Sequence, residues 1–251
     1  MMINLRSIHI LAFAVVALLG SWVSADEGDE AFYITPMEVS MKPGEGAQSL
    51  TVVNQHEQPI QVRVDAFERD DTVDGIEKRV LTKELVADVS EFNLNAGATR
   101  VVKLRYVGSH KLKREKAFRV VVKQMASSLS NPSLDLRFIY VASVYVSPEA
   151  KKSMSEVQVR SIQKTDDGLE VELKNRGASH LKLRDVDVVV AESADGEVRN
   201  IELSQETREN LKRENILAGG LRRLRLQVAD TKTLRRGGRL MLELRTLQTP
   251  R

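Results

Sequence analysis

Residues 115–148 decide the fold and read EKAFRVVVKQ (115–124), MASSLSNPS (125–133) and LDLRFIYVASVYVSP (134–148). This pattern predicts two β-strands joined by a polar loop. Apolar residues occupy every second position of the later strand, and alternate side chains of a strand lie on one face. They are Leu134, Leu136, Phe138, Tyr140, Ala142, Val144 and Val146. This apolar face is longer than one small domain usually needs, so the strand is suited to completing the core of another protein.

On both sides of this stretch, short period-two strands alternate with turn residues such as Pro43-Gly44 and Asp195-Gly196. Predicted strands lie at 49–54, 60–67, 99–106, 118–124, 157–163, 169–175, 181–191, 221–228 and 239–247. Strands at this spacing are typical of β-sandwiches. The length favours two domains divided at Pro148, over 26–148 and 149–251. Two short stretches, 82–89 and 204–213, are possible helices, the second capped by Ser204.

The first 25 residues predict export. One early charge, Arg6, precedes the apolar run IHILAFAVVALLGSWV and the sequence Val23-Ser24-Ala25. This pattern is typical of a secretory signal peptide cleaved after Ala25, and the run is short for a membrane span. The alternative is an uncleaved signal anchor. After cleavage, the remaining chain is expected in the periplasm.

The composition excludes several function classes. The chain has no cysteine, which removes thiol catalysis, iron–sulfur clusters and thiolate zinc sites. An exported protein without disulfides depends on its hydrophobic core, and this length suffices for two cores. The net charge is only +3 and aromatic residues make up 4% of the chain. Nucleic-acid binders more often concentrate positive charge on one face with aromatic residues for stacking, so most charges are interpreted as solvated surface.

No motif for catalysis or metal binding is present. His56, His110 and His180 lie far apart without metal-ligand spacing, and His180 is expected to be satisfied by its own loop. The acidic segment 70–74 lacks the spacing of a calcium loop and predicts a hairpin turn between Phe67 and Val80. The sequence therefore predicts a protein that is not an enzyme and needs no cofactor or metal.

The order of these elements resembles that of the periplasmic chaperones of the chaperone–usher pathway, which assemble pili. The matching segments are ITPMEVSMKPGEGAQSLTVVNQHEQPIQVRVDAF (34–67), EFNLNAGATRVVKLRY (91–106), EKAFRVVVKQ (115–124), the strand ending in VYVSP (144–148), LEVELKNRGASHLKLRDV (169–186) and NILAGGLRRLRL (215–226). Among the subclasses, the chain looks closest to the archaic, or sigma, chaperones. The resemblance covers nearly all of the chain after residue 25.

The resemblance implies an all-β fold of two immunoglobulin-like β-sandwich domains in an L-shaped arrangement. It also implies a donor strand that fills the open groove of a pilus subunit with an incomplete fold, before an outer-membrane usher takes the subunit over. The donor residues would be Leu134, Leu136, Phe138 and Tyr140. The even-numbered side chains face either the protein's own core or the subunit. Because the odd-numbered face begins with the polar Asp135 and Arg137, we expect the even-numbered side chains to face the subunit near 134–138.

The resemblance also implies a cation pair that anchors the subunit's C-terminal carboxylate, but the matching positions are Glu38 and Ser143. Arg119 is the first replacement candidate, because an unpaired arginine inside an apolar strand would be costly. Its alternative partners are Asp65 or Glu68 of the protein itself. Lys103 and Arg105 are weaker candidates.

Glu115 matches a family position that forms a salt bridge between the domains, although Ser147 replaces the expected arginine partner. Two other functions stay open for the chain as a whole. The first is an exported two-domain immunoglobulin-like structural or adhesin subunit, but residues 26–35 are too short and acidic for the donor extension that such a subunit would carry. The second is a sandwich that binds a small ligand, which the scarcity of aromatic residues disfavours.

Overall fold

The computed structural model describes residues 32–125, 137–149, 156–194, 196–231, 234 and 237–247. The predicted signal peptide, Leu134, Leu136 and the polar loop lie outside these residues. No helix among the described residues is long and apolar enough to cross a membrane. The regular secondary structure of the described chain is almost all β-strand.

The strands before Pro148 are β1 (Phe32–Thr35), β2 (Glu38–Met41), β3 (Gln48–Asn54), β4 (Ile60–Asp71), β5 (Glu77–Leu81), β6 (Leu85–Ala87), β7 (Glu91–Leu94), β8 (Thr99–Tyr106), β9 (Lys116–Gln124) and β10 (Ile139–Val146). They form two sheets, with strand orders β1-β3-β8-β6 and β2-β10-β9-β4-β5, and β7 also pairs with β4. Alternate side chains from both sheets meet in one core, which includes Phe32, Leu50, Val102 and Phe118. This arrangement is the first sandwich.

The later elements are β11 (Val157–Lys164), β12 (Gly168–Asn175), β13 (Leu181–Lys182), a 3-10 turn (Leu183–Asp185), β14 (Val186–Ala194), β15 (Glu197–Ile201), α1 (Gln205–Leu211), β16 (Asn215–Ile216), β17 (Leu221–Gln227) and β18 (Arg239–Thr246). Their sheets have the orders β11-β12-β17 and β15-β14-β18, with a short β13-β16 pair. They enclose a separate core around Leu169, Leu173 and Leu226. This arrangement is the second sandwich.

Two separate cores agree with the expected pair of β-sandwiches. The first core ends at Val146, and the partly buried Val157 packs against the second. These positions support a division near Pro148, and the boundary itself remains our proposal.

The two predicted helices have different outcomes. Residues 205–211 form α1, and the Ser204 hydroxyl accepts a hydrogen bond from the Thr207 backbone N–H at 3.1 Å, as a helix N-cap does. The helix considered over 82–89 is wrong, because Leu85–Ala87 form β6 and pair with β8. Leu85 is fully buried in the first core, and this tertiary packing outweighs the local preference of a short charged segment.

The expected hairpin between Phe67 and Val80 is present as β4 and β5, which pair in register from Phe67↔Leu81 to Asp71↔Glu77. Gly75 in its turn has φ +83°, a conformation that favours glycine. A side chain at Gly75 would also collide with the Arg222 guanidinium. The hairpin therefore both turns tightly and touches the second sandwich.

Candidate functional site

The β10 strand has one half of an edge unpaired. On one side it pairs with β9 along its whole length, from Ile139↔Lys123 to Val146↔Lys116. On the other side, β2 pairs in parallel only with Ser143–Val146. No strand among the described residues pairs with Ile139–Ala142 on that side. We call this half the open edge.

The backbone groups on the open edge can be assigned from the hydrogen-bond pattern. The N–H groups of Ser143 and Ser147 donate to the carbonyl groups of Met37 and Met41 on the β2 side, at 2.9 and 3.0 Å. Because backbone groups alternate along a strand, the N–H and C=O groups of Ile139 and Val141 also point to that side. None of these groups has a strand partner among the described residues, so an incoming strand could form a β-ladder with them.

The even-numbered side chains of β10 face the core of the first sandwich. Ala142, Val144 and Val146 are completely buried, whereas Phe138 and Tyr140 are partly buried against the same core. The Tyr140 ring meets the Phe32 ring edge-on, with centroids 5.5 Å apart. Phe138, which was expected on the subunit side, therefore also contacts the protein's own core, and its contact with a subunit stays a prediction. Burial decreases towards the open edge, where Ile139 on the opposite face is 60% exposed.

An open cleft of about 300 Å³ lies beside the point where β2 pairing begins. Glu38 on β2, Ser143 on β10 and Arg119 on β9 are register neighbours across three strands, so their side chains share one face. The second sandwich supplies the opposite wall. Six cationic side chains line the cleft against two acidic ones: Arg69, Arg119, Lys182, Arg184, Lys212 and Arg213 against Glu38 and Glu214.

Arg119 has an internal partner, but it is neither Asp65 nor Glu68, so this part of the expectation is wrong. Its Nε and Nη2 atoms donate to Glu77 Oε2 at 2.9 and 2.6 Å, and Nη1 donates to the Ser143 hydroxyl. Asp65 pairs instead with Arg63, and Glu68 pairs with Lys116. The β4–β5 hairpin places Glu77 close enough to satisfy the arginine.

Three arginines hold the Glu77 carboxylate. Arg69 Nε lies 3.0 Å from Oε2 and Arg79 Nε lies 2.5 Å from Oε1, in addition to Arg119. Burial would raise the pKa of Glu77, but hydrogen bonds from Arg119 and Arg79 and the charges of Arg119 and Arg69 outweigh it and lower the pKa to about 2. Glu77 is therefore ionised at any physiological pH.

Lys182 is a cleft cation that the sequence interpretation did not identify. It lies on β13 of the second sandwich, and its Nζ atom donates to Glu38 Oε1 at 2.5 Å. It also lies 6.0 Å from the centre of the Tyr145 ring. An alternating charged strand such as LKLRDV gives no signal for this role, because exposed lysines are common in strands.

Lys103 and Arg105 do not reach the cleft. Both lie on β8, in the other sheet of the first sandwich, and both are exposed. The structure therefore leaves Arg119 as the only one of the predicted anchor candidates that lines the cleft.

Glu115 connects the two sandwiches through a histidine. Its Oε1 lies 2.6 Å from His180 Nδ1 and accepts the His180 backbone N–H at 3.1 Å, while Oε2 accepts the Ser147 hydroxyl at 3.0 Å. The His180 ring stacks on Tyr145 at 3.9 Å. The expectation that His180 is satisfied by its own loop is therefore wrong, since its ring partners lie before Pro148.

The described residues contain no group of three or more histidine, aspartate or glutamate side chains that could hold a metal ion. What the site offers is an unpaired strand edge that ends beside a cationic cleft. Such an arrangement can bind an extended peptide segment and an anionic group next to it.

Comparison with known proteins agrees with this geometry. Residues 31–152 match the family model described as "Pili and flagellar-assembly chaperone, PapD N-terminal domain". No curated protein matches the sequence.

Solved structures share the fold at low sequence identity. The CsuC–CsuE chaperone–tip adhesion subunit complex, from archaic chaperone–usher Csu pili of Acinetobacter baumannii, matches with 14% identity and a TM-score of 0.51, over 77% of this chain and 89% of that chain. The E. coli chaperone DraB matches with 16% identity and a TM-score of 0.51, over 78% and 83%. The class 5 fimbriae chaperone CfaA matches with 14% identity and a TM-score of 0.53, over 86% and 100%.

Structures of different chaperone types thus match equally well, and the archaic subclass remains a prediction. The sequence match is the more specific finding, because it covers both the open edge and the first-sandwich wall of the cleft. Residues 31–152 therefore form a PapD N-terminal domain of the pili and flagellar-assembly chaperone family.

Proposed function

We propose that this protein is a periplasmic chaperone that binds and folds pilus subunits by donor-strand complementation and delivers them to an outer-membrane usher. The open edge of β10 is the single observation that carries the proposal. The match of residues 31–152 to the chaperone family favours this function over that of a structural or adhesin subunit. A chaperone of this kind works by binding, so we propose no enzymatic step and no cofactor.

The open edge supplies both parts of strand addition. Backbone groups of Ile139 and Val141 would form the ladder with the subunit's strand, which fixes register. Phe138 and Tyr140 still expose part of their rings at the margin of the core, and Leu134 and Leu136 continue the same series before them. Fully burying an exposed side chain of this kind contributes roughly 1.5–3 kcal/mol before entropic costs, and covering the exposed part of Phe138 or Tyr140 contributes less. An edge with this apolar surface would also aggregate if nothing covered it.

The cleft is the proposed site for the subunit's C-terminal carboxylate. A strand paired along Ile139–Ala142 would end near Ser143, where Arg119 lies. Arg119 keeps N–H groups that Glu77 and Ser143 do not use, because a guanidinium has five donors and these contacts take three. We propose Arg119 as one anchor of the carboxylate.

A chaperone that acts in the periplasm must first be exported. We propose that residues 1–25 are a cleaved signal peptide, that residues 26–148 form the subunit-binding domain and that residues 149–251 form the second sandwich. Glu115, with His180 as its partner, would link the two domains.

The open edge can be blocked by one substitution. Val141→Pro removes an N–H group that points away from β9, so the β9–β10 ladder keeps its hydrogen bonds, and proline is tolerated on edge strands for this reason. We expect native mass spectrometry of the tagged protein from the periplasm to show a one-to-one complex with a small β-rich subunit. Val141→Pro should lose the complex, whereas the control Val141→Thr, which keeps the N–H group, should retain it. Equal recovery with both variants would refute pairing at this edge.

A further inference from the structure

In the free protein, several cleft cations bind carboxylates of the protein itself, and two of these pairs include a register neighbour of Ser143. Arg119 binds Glu77, and Lys182 binds Glu38. An incoming carboxylate that binds Arg119 or Lys182 must compete with one of these internal groups. The two pairs differ in how firmly each carboxylate is held, and this difference indicates which cation changes partner.

The Arg119–Glu77 pair is the firmly held one. Glu77 contacts Arg69, Arg79 and Arg119, its side chain is 19% exposed, and its pKa is about 2. Two N–H groups of Arg119 bind the same carboxylate oxygen. Releasing Glu77 would leave three arginines without this partner at once, so an incoming carboxylate would not displace it.

The Lys182–Glu38 pair is held by fewer contacts. It consists of one contact between Nζ and Oε1, and the Glu38 side chain is 40% exposed at the rim of the cleft. Water screens the exposed carboxylate, and such screening weakens an ion pair. Water can solvate Glu38 once it is released, and the Tyr145 ring still lies against the Lys182 ammonium group.

Lys182 is also the less exposed member of its pair, at 16%. A carboxylate that enters the cleft therefore meets an ammonium group already partly removed from water, where a charge-assisted hydrogen bond is stronger than at the surface. Ser143 lies between Arg119 and Glu38 in the strand register. The position that the Glu38 carboxylate leaves is therefore close to Arg119.

We propose that Lys182 is the cation that the subunit's C-terminal carboxylate takes over, and that Glu38 is the internal group it displaces. This inference rests on the proposed function of the cleft. Arg119 stays on Glu77 and contributes its remaining N–H groups. The bound carboxylate is then held by both sandwiches, and Glu38 selects for subunits whose carboxylate competes well enough to replace it.

Competition inside one cell tests the proposal. Wild-type protein and one variant are co-expressed in equal amounts with the subunit recovered from the wild-type complex, and native mass spectrometry gives the ratio of the two complexes. Lys182→Met should bind about tenfold less subunit, because one charge-assisted hydrogen bond is lost. Glu38→Gln should bind roughly threefold more, because its competing charge is gone. In the double variant, the gain from Glu38→Gln should disappear.

Lys103→Met is the matched control, since it removes the same charge from the other sheet and should bind like the wild type. Thermal unfolding of each variant, followed by circular dichroism, should match the wild type, which excludes a folding defect. Equal binding by Lys182→Met, or weaker binding by Glu38→Gln, would overturn the exchange of partners while leaving the chaperone function intact. Absence of any complex with the wild type would overturn both.

Discussion

At the scale of single residues, the cleft is organised around the Glu77 carboxylate. The carboxylate forms ion pairs with Arg69, Arg79 and Arg119. The pair with Arg119 holds the guanidinium of this arginine beside Ser143. A buried arginine without such a partner would be strongly destabilising. Glu77 therefore orients the proposed anchor as well as stabilising the first sandwich.

The stabilisation by Glu77 should depend on pH in a defined direction. The folded pKa of Glu77 is about 2, against an ordinary value of 4.5. A carboxylate with a lowered folded pKa contributes stability that is complete above the unfolded pKa and is lost as the pH falls through the folded value. The difference in unfolding free energy between the wild type and Glu77→Gln should therefore shrink between about pH 4.5 and pH 2.

Urea denaturation at several pH values measures this difference. The control is Glu243→Gln, whose exposed carboxylate pairs with exposed Arg245 and should change stability little at any pH. A Glu77→Gln difference that stays constant from pH 5 to pH 2.5 would contradict the role of the ionised carboxylate.

The sequence predicted that Arg119 must have a partner, but not which one. An arginine among apolar strand residues is a local signal, whereas Glu77 lies 42 residues away along the chain. The contact depends on the β4–β5 pairing and on the direction of the hairpin, and both follow from tertiary packing. For the same reason Lys182, on the second sandwich, could not be connected with Glu38 from the sequence.

At the scale of elements, the β4–β5 hairpin joins the sandwiches. The Arg223 backbone N–H donates to the Val73 carbonyl at 2.7 Å, and Arg222 Nη2 donates to Asp71 Oδ2 at 2.9 Å and to the Asn215 carbonyl at 2.7 Å. The Arg222 and Asp71 side chains are both almost completely buried. The contact therefore stabilises the position of the hairpin that carries Glu77.

Replacing Arg222 with methionine tests this contact. Arg222→Met keeps much of the side-chain length but removes two buried charge-assisted hydrogen bonds, so we expect a loss of about 2 kcal/mol in unfolding free energy. The measurement is urea denaturation followed by circular dichroism. Arg225→Met, at an exposed position on the same strand, should cost less than about 0.5 kcal/mol. Equal effects of the two substitutions would show that the hairpin contact does not stabilise the protein.

Strands with strict alternation were easier to predict than the short segments between them. TRVVKLRY (99–106) became β8 at the predicted bounds, because alternation directly reports a half-buried strand. The segment around Leu85 was ambiguous, since its single buried side chain and its flanking charges fit a short helix or a short strand. The face of Phe138 was also open in the sequence, because alternation shows that a strand has two faces without showing which one its own core takes.

At the scale of the whole molecule, the features that matter for the proposed function are two separate cores and the half-open edge of β10. Each sandwich has its own core among the described residues, and Ile139–Ala142 is the part of β10 that β2 leaves unpaired. The open edge is therefore where we propose that a subunit pairs. The central claim is that this edge becomes a paired strand in the complex.

Residue-resolved amide hydrogen exchange tests this claim most directly, on the free protein and on the isolated complex with its subunit. The amides of Ile139 and Val141, which point to the open side, should exchange quickly in the free protein and at least about 100-fold more slowly in the complex. The Val144 amide, which points towards β9, should be protected in both states. If Ile139 and Val141 stay unprotected in a stable complex, the subunit binds elsewhere and strand addition at β10 is wrong.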